Sequence, residues 1–544
     1  MMRMAHVTCL CLGLLALDPA GALDFSRARL GRSGRRTERC LRSVRNLRGG
    51  DSGELPDRKD TFKQGMDESS ARRQREDWAI GLRKKEREDH MSKRRNTLNQ
   101  AGNLTASAHG ETEPPPGLSD LPRLVMDLKA DGVFERYKAA QNIRRLLSIE
   151  NPPAATTVEV GALPPLVEAL KQEQSSELQF EAAWALTNIA STDFTKQVVQ
   201  SGAVPSLIKL LSSSSADVRE QAAWCLGNIA GDCPDLRDLV LDNGALDPIL
   251  QNVQAPATIS LLRNTVWSLS NLCRGKPAVR TEVATKVTPL LAQVLMQCQD
   301  DDTLIDTCWA LSYITDGDNE RIDILVQQKQ VVPVLVGYLS HRSAQLIAPA
   351  LRTLGNIVTG NDEQTQLVLD SGILPNMLNL LQHPKKALRK EACWLISNVA
   401  AGSKAQISML LDEPRLIPEV LQHLAWGQWE VREEAAWAIS NLCMSKDHVV
   451  QAVQMGAIRP LCEVLTASDP SLVLVVLNAL ESILQVSEDQ GLDYDERIED
   501  CEGLDKLEEL QGHKNEDIYI KAVQILERYY PANDGEDDPA LGGD

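Results

Sequence analysis

Five tryptophans in this chain are each followed four positions later by an asparagine: Trp184 with Asn188, Trp224 with Asn228, Trp267 with Asn271, Trp394 with Asn398 and Trp437 with Asn441. In the interval after Trp267, Trp309 stands with Tyr313 and Arg352 with Asn356, so seven consecutive units carry the same two slots at a spacing of 40 to 43 residues. Residues i and i+4 lie on one face of a helix, so every pair points the same way. An asparagine carboxamide donates to and accepts from the main chain of an extended peptide, holding it without reading its side chains. Neighbouring indoles leave slots in which the stem of a lysine or arginine gains apolar burial and cation–π attraction. Asparagine is mostly exposed in folded proteins and costly to bury unpaired, so the row is read as an exposed binding surface; the alternative is that the tryptophans are core.

Carboxylates to meet cationic heads stand beside the row. Asp232 follows Trp224 by eight residues, and Asp306, Glu391 and Glu434 precede Trp309, Trp394 and Trp437 by three, one helical turn away. Arg352 in a tryptophan slot and Tyr313 in an asparagine slot weaken the middle of the row. The expectation is two peptide sites, one from Trp184 to Asn271 and one from Glu391 to Asn441, joined by a linker region of Asp306, Trp309, Tyr313, Arg352 and Asn356. Trp78, Trp426 and Trp429 fall outside the register, and the last two are expected to pack between repeats.

A period of this length marks a helical solenoid, in which each repeat buries its apolar face only against its neighbours. Gly161-Ala162, Gly202-Ala203, Gly244-Ala245, Gly372-Ile373 and Gly456-Ala457 keep the same beat, each ahead of an apolar run with a nearby proline. Glycine ends one helix and proline is tolerated in the first turn of the next, so each repeat holds several short helices. That pattern is armadillo rather than HEAT, and the tryptophan helix is the last of each repeat.

The chain of 544 residues has twelve cysteines without a C-x-x-C pair and eight scattered histidines, so no metal site is implied. Cys225, Cys273, Cys308, Cys393 and Cys443 lie close in sequence to the repeat tryptophans or asparagines, as reduced core thiols of a nuclear or cytosolic protein would. No phosphate loop, no recurring nucleophile and base and no stretch of 18 apolar residues appear, so an enzyme, a cofactor or a membrane span is not expected.

Charge divides the chain. Residues 1–100 hold 23 Lys and Arg against 14 Asp and Glu, and the remainder 34 against 62. A basic arm therefore precedes an acidic body. Residues 1–57 are a leader and linker: Met1 to Ala22 reads as a secretory signal and residues 25–50, with nine arginines, as a transit-like extension, the alternative being an extended or unused start. Residues 58–96 form a basic segment, 97–117 a flexible tether, 118–530 the solenoid of about ten repeats, and 531–544 a disordered acidic tail.

With the strings Ala182–Ala190 (AAWALTNIA), Gly227–Asp232 (GNIAGD), Asn271–Pro277 (NLCRGKP), Gly355–Asp362 (GNIVTGND) and Asn515–Ala522 (NEDIYIKA), the sequence resembles the importin α family over nearly all of 58–530. The resemblance implies an all-α, right-handed superhelical solenoid that binds mono- and bipartite nuclear localisation signals, with a major site at Trp184, Asn188, Trp224, Asn228, Trp267 and Asn271 and a minor site at Glu391, Trp394, Asn398, Glu434, Trp437 and Asn441. It adds Thr195, Gln221 and Asp232 as partners of the key lysine. Ser191 to Thr195 is about two residues shorter than the family's loop and lacks its glycine, which puts altered selectivity there in view.

The same resemblance makes the basic segment an importin-β-binding arm, carried by Arg72, Arg73, Arg75, Arg83, Lys84, Lys85 and Arg87, with Gln74 and Glu86 where the family is usually basic. Lys93, Arg94 and Arg95 resemble a localisation signal that folds back to compete with cargo. The last repeat, from Asp500 to Tyr530, resembles the region for the export factor that works with Ran-GTP. Shuttling between cytoplasm and nucleus follows, or an organelle compartment if the leader is genuine. The competing readings are a non-transport armadillo scaffold and a nucleic-acid-binding arm.

Overall fold

The computed structural model describes residues 116–531 apart from residue 150, and all of these belong to one compact unit, Ala71–Asp544. The leader, the basic arm with Arg72 to Arg95, Trp78, the tether up to residue 115 and the tail from residue 532 lie outside the described residues.

Among the described residues the elements are helices, arranged as ten repeats. The last helix of each repeat forms a continuous row: α1 (Val133–Leu147), α2 (Ser176–Ala190), α3 (Ala216–Ala230), α4 (Ile259–Cys273), α5 (Asp301–Thr315), α6 (Ala344–Ile357), α7 (Lys386–Ala400), α8 (Trp429–Cys443), α9 (Pro470–Gln490) and α10 (Glu516–Tyr529). Their starts are written in the sequence. The side chains of Ser175, Ser215, Thr258, Asp300, Asp469 and Asn515 each accept a backbone N–H of the first turn of α2, α3, α4, α5, α9 and α10, satisfying donors with no intrahelical partner.

Two shorter helices precede most row helices, as in Thr195–Gln200 and Ala203–Leu210 before α3. The turn between them needs a left-handed residue. Gly161, Gly202, Gly244, Gly372 and Gly456 supply it with φ between 78° and 98°, and Gln330 and Glu502 adopt the same conformation without being glycine. Before α5 the slot holds Lys286, no left-handed residue interrupts the chain, and the two short helices merge into one, Thr281–Gln297.

One apolar core runs from Leu121 to Ile525, each repeat packed on the next. The longest row helix, α9, is long and apolar enough to cross a membrane by length and composition, which the reading of the sequence did not single out. In the structure Leu472, Val476, Leu480 and Ile483 bury its apolar stripe in that core.

Candidate functional site

The row α2 to α8 carries all seven predicted pairs, one per helix and in the same place on each. With the whole chain in place, Trp184, Trp267, Trp394 and Trp437 are buried, as are Asn188, Asn228, Asn271, Asn356 and Asn398. Trp224, Trp309, Tyr313 and Asn441 are partly exposed. Within the row, asparagines are tied to the preceding repeat by hydrogen bonds.

Those bonds are systematic. Asn228 Nδ2 donates to the Thr187 carbonyl at 3.0 Å, Asn271 to Gly227 at 2.9 Å, Asn356 to Ser312 at 2.9 Å and Asn441 to Ser397 at 2.8 Å. In each case the acceptor immediately precedes the previous repeat's own asparagine slot. A carboxamide has two N–H donors and an acceptor oxygen, so the bond takes one donor and fixes the orientation of the rest of the group. At two repeats the residue before the asparagine is glycine, for a steric reason. A Cβ on Gly227 would lie 2.7 Å from Trp267 Cζ3, and one on Gly355 would overlap the Trp394 ring. The glycine of one repeat is therefore the floor on which the next repeat's indole rests.

The row has an eighth rung that the tryptophan search missed. Arg144 on α1 and Ser148 just past its end stand 40 residues before Trp184 and Asn188, and Ser148 Oγ accepts from Asn188 Nδ2 at 3.1 Å. Arg144 Nε donates to Glu181 Oε2 at 2.7 Å and its NH2 to Oε1 at 3.3 Å, both residues buried, while its guanidinium lies 4.4 Å over the Trp184 ring. Counting one period back from Trp184 finds both residues, and Glu181 occupies the same place, three before a tryptophan, as Asp306, Glu391 and Glu434.

Arg352 repeats this arrangement. Its guanidinium grips Glu391 through two hydrogen bonds, Nε to Oε2 at 2.7 Å and NH2 to Oε1 at 2.6 Å. Glu391, expected to face a ligand cation, is thus engaged by an arginine of the preceding repeat. Asp306 and Glu434 are buried on α5 and α8, and Trp309 stacks on Tyr313 with centroids 5.9 Å apart.

At the other predicted site Gln221 is buried three residues before Trp224, and Asp232 is half-buried just past the end of α3. Thr195 is buried with Oγ1 2.9 Å from the Ala190 carbonyl and 3.0 Å from that of Thr192. In the shortened loop, Ser191 Oγ donates to Asn188 O at 2.8 Å and Thr192 Oγ1 to Ile189 O at 2.6 Å. Hydroxyls thus close the loop over the last carbonyls of α2, in place of the longer backbone path.

Trp426 and Trp429 do not pack between repeats. Gly427 ends the helix Leu416–Trp426 in an extended conformation and α8 begins two residues later, leaving both indoles on a tight turn, 88% and 43% exposed.

Burial pushes the thiols of Cys225, Cys273 and Cys443 up to about 12 and those of Cys308 and Cys393 higher still. They are packing groups, not nucleophiles, at neutral pH. Among the described residues no group of three or more His, Cys, Asp or Glu is placed to hold a metal ion.

Comparison with known proteins gives the class. The family model for the Importin beta binding domain matches residues 58–141, that for the Armadillo/beta-catenin-like repeat matches 150–191, 191–231 and 361–401, and that for the Atypical Arm repeat matches 493–542. An engineered protein of known crystal structure superposes with a TM-score of 0.67 and 26% identity, over 75% of this chain and 98% of its own. The fold and the row therefore define an armadillo-repeat protein with an importin-β-binding segment.

Importin subunit alpha-1b of Oryza sativa subsp. japonica is 44% identical over 78% of this chain and 82% of its own length. Importin subunit alpha-3 of Arabidopsis thaliana is 44% identical over 88% of this chain and 93% of its own. The chain belongs to the importin α family, a family of nuclear import adaptors. The importin-β-binding match runs past the tether into α1, further along the chain than the basic segment itself.

Proposed function

We propose that the row binds lysine- and arginine-rich nuclear localisation signals in two sites, and that the basic arm links the loaded protein to importin β. The observation that carries this is the repeated inter-repeat bond of Asn228, Asn271, Asn356 and Asn441, which ties each of these carboxamides to the preceding repeat in the same way. A series of such amides matches the regular polar groups of an extended main chain. Trp184, Trp224 and Trp267 with Asn188, Asn228 and Asn271 form the major site, where Thr195, Gln221 and Asp232 take the key lysine. Trp394, Trp437, Asn398 and Asn441 form the minor site, where Glu434 carries the charge because Glu391 is shared with Arg352. Between them Asp306, Trp309, Tyr313, Arg352 and Asn356 pass the linker of a bipartite signal.

The arm acts twice in this reading. Arg72, Arg73, Arg75, Arg83, Lys84, Lys85 and Arg87 bind importin β, and Lys93, Arg94 and Arg95 compete with cargo at high effective concentration until importin β withdraws them. The acidic last repeat around Asp500 to Tyr530 takes the export factor with Ran-GTP, and the protein shuttles between cytoplasm and nucleus.

Anisotropy of a fluorescent bipartite signal peptide tests the whole reading on residues 58–544 and 101–544, each with and without importin β. Tight binding to the short form, weaker binding to the long form and recovery with importin β are expected. Binding to neither form leaves an armadillo scaffold without a localisation-signal site; equal binding to both removes autoinhibition alone.

A further inference from the structure

The turns that lead into α7 and α8 lie side by side. Lys386 Nζ reaches Glu430 Oε1 at 2.7 Å, and Arg389 reaches Gln428 Oε1 at 3.4 Å while holding the carbonyls of His383 and Pro384 at 2.7 and 3.0 Å. On this edge Trp426 is 88% and Trp429 43% exposed, the most exposed tryptophans among the described residues. Beside them Lys385, Lys386, Arg389 and Lys390 follow one another with no acid between. Among the carboxylates near them, Glu430 is already paired with Lys386, and Glu419 accepts from Gln382 at 3.0 Å.

Neither feature serves the fold. A lysine at the N-cap and another at the first helical position oppose the positive end of α7, whereas α2, α3, α5, α8 and α10 carry acids in their first turns. Neither Lys385 nor Gln428 caps its helix through a side chain, unlike the capping residues of α2 to α5. An indole left almost wholly in water forgoes its burial free energy. Local rules broken together at one exposed place mark a functional surface.

We propose that this edge of repeats seven and eight is a second docking surface, for a short acidic peptide carrying an aromatic side chain. The lysines and Arg389 pair its carboxylates, and Trp426 and Trp429 receive its ring. Charge selects this occupant over other anions. Beyond residue 100 the chain has 62 acids against 34 bases, so its long-range field repels a nucleic-acid strand or an anionic membrane, each charged over a far larger area than this patch covers. A short peptide places its carboxylates on the patch alone. The surface lies at the starts of α7 and α8, ahead of their tryptophan and asparagine slots, and is opposite in ligand charge.

The full chain, titrated with a fluorescein-labelled peptide of repeated Glu-Glu-Phe units, tests this. Saturable, salt-sensitive binding is expected, weakened about tenfold both by Trp426→Ala and by Lys385→Glu with Lys386→Glu. An unaltered melting temperature is expected for Trp426→Ala, whose side chain packs little, so it stands as the reference if the charge reversal unfolds. No binding, or binding that Trp426→Ala leaves unchanged, as attachment to the basic arm would, overturns the proposal. So does a preference for oligothymidylate or for phosphatidylserine vesicles that the same variants abolish.

Discussion

Arg352 and Glu391 occupy successive repeats and clasp each other through two hydrogen bonds of 2.7 and 2.6 Å, with side chains only 16% and 12% exposed. Arg144 and Glu181 repeat the relationship at the first rung, even more deeply buried. Wherever an arginine takes a tryptophan's place in this row, the next repeat supplies a carboxylate three residues before its own tryptophan. In the proposed binding mode the arginine thereby fills the slot meant for a ligand's lysine or arginine, and neutralises the acid that would have met it. The row is interrupted between Trp309 and Trp394 by the protein's own charge pair.

Breaking that pair separates its structural from its binding role. Arg352→Ala removes both charge-assisted hydrogen bonds to the half-buried Glu391 carboxylate, for an expected loss of about 3 kcal/mol in urea unfolding. Arg352→Ala with Glu391→Ala recovers most of it, because no orphaned charge remains. A peptide with an added lysine opposite this position binds Arg352→Ala more tightly than the parent and the double variant no more tightly. Equal affinity for all three would show that Glu391 plays no part in the gap.

Asn271 and Asn356 make the same 2.9 Å bond to the preceding repeat, yet only Asn271 belongs to the proposed major site. Alanine at either position is expected to cost about 1 kcal/mol of stability. Peptide affinity should fall about tenfold for Asn271→Ala and by much less for Asn356→Ala. Matching losses of affinity would mean that both asparagines act only by stitching repeats together.

The row is legible because its two slots recur on α2 to α8 and because Gly161, Gly202, Gly244, Gly372 and Gly456 mark turns whose left-handed geometry favours glycine. The equivalent turns at Gln330 and Glu502 are not, since a non-glycine in that conformation has no compositional sign. Arg144 carries no tryptophan signal and is marked only by its place one period before Trp184. The bonds between repeats are not legible in the sequence, because the partners of the asparagines are backbone carbonyls some 40 residues away, with no side-chain signature of their own. Trp426 and Trp429 were assigned to packing because aromatics are usually buried, but the Gly427 break holds them at the edge of the turn.

Gly355 offers a test of how the indoles are seated. A methyl group there overlaps the Trp394 ring, so Gly355→Ala should cost about 1–3 kcal/mol and move the indole. Major-site binding of a monopartite peptide should persist, while the advantage of a bipartite peptide falls. A crystal structure of the variant with Trp394 unmoved would refute the close-seat argument.

His448 gives stability a pH dependence of known sign. It is buried between two serines, Ser408 Oγ lying 3.0 Å from Nε2 and Ser445 Oγ 2.9 Å from Nδ1. Burial holds its pKa below the ordinary 6.5; Asp447 pulls in the opposite direction and Lys404 adds to the lowering. The unfolded chain therefore binds the proton more readily than the folded one, and stability rises with pH. The contribution is present above the unfolded value of about 6.5 and is lost as pH falls through it toward the lower folded value. Melting temperatures of the parent and of His448→Gln across this range should converge as the pH is lowered, because the variant lacks the titration. A difference between the two that does not change with pH would show that the imidazole keeps the same affinity for its proton in both states.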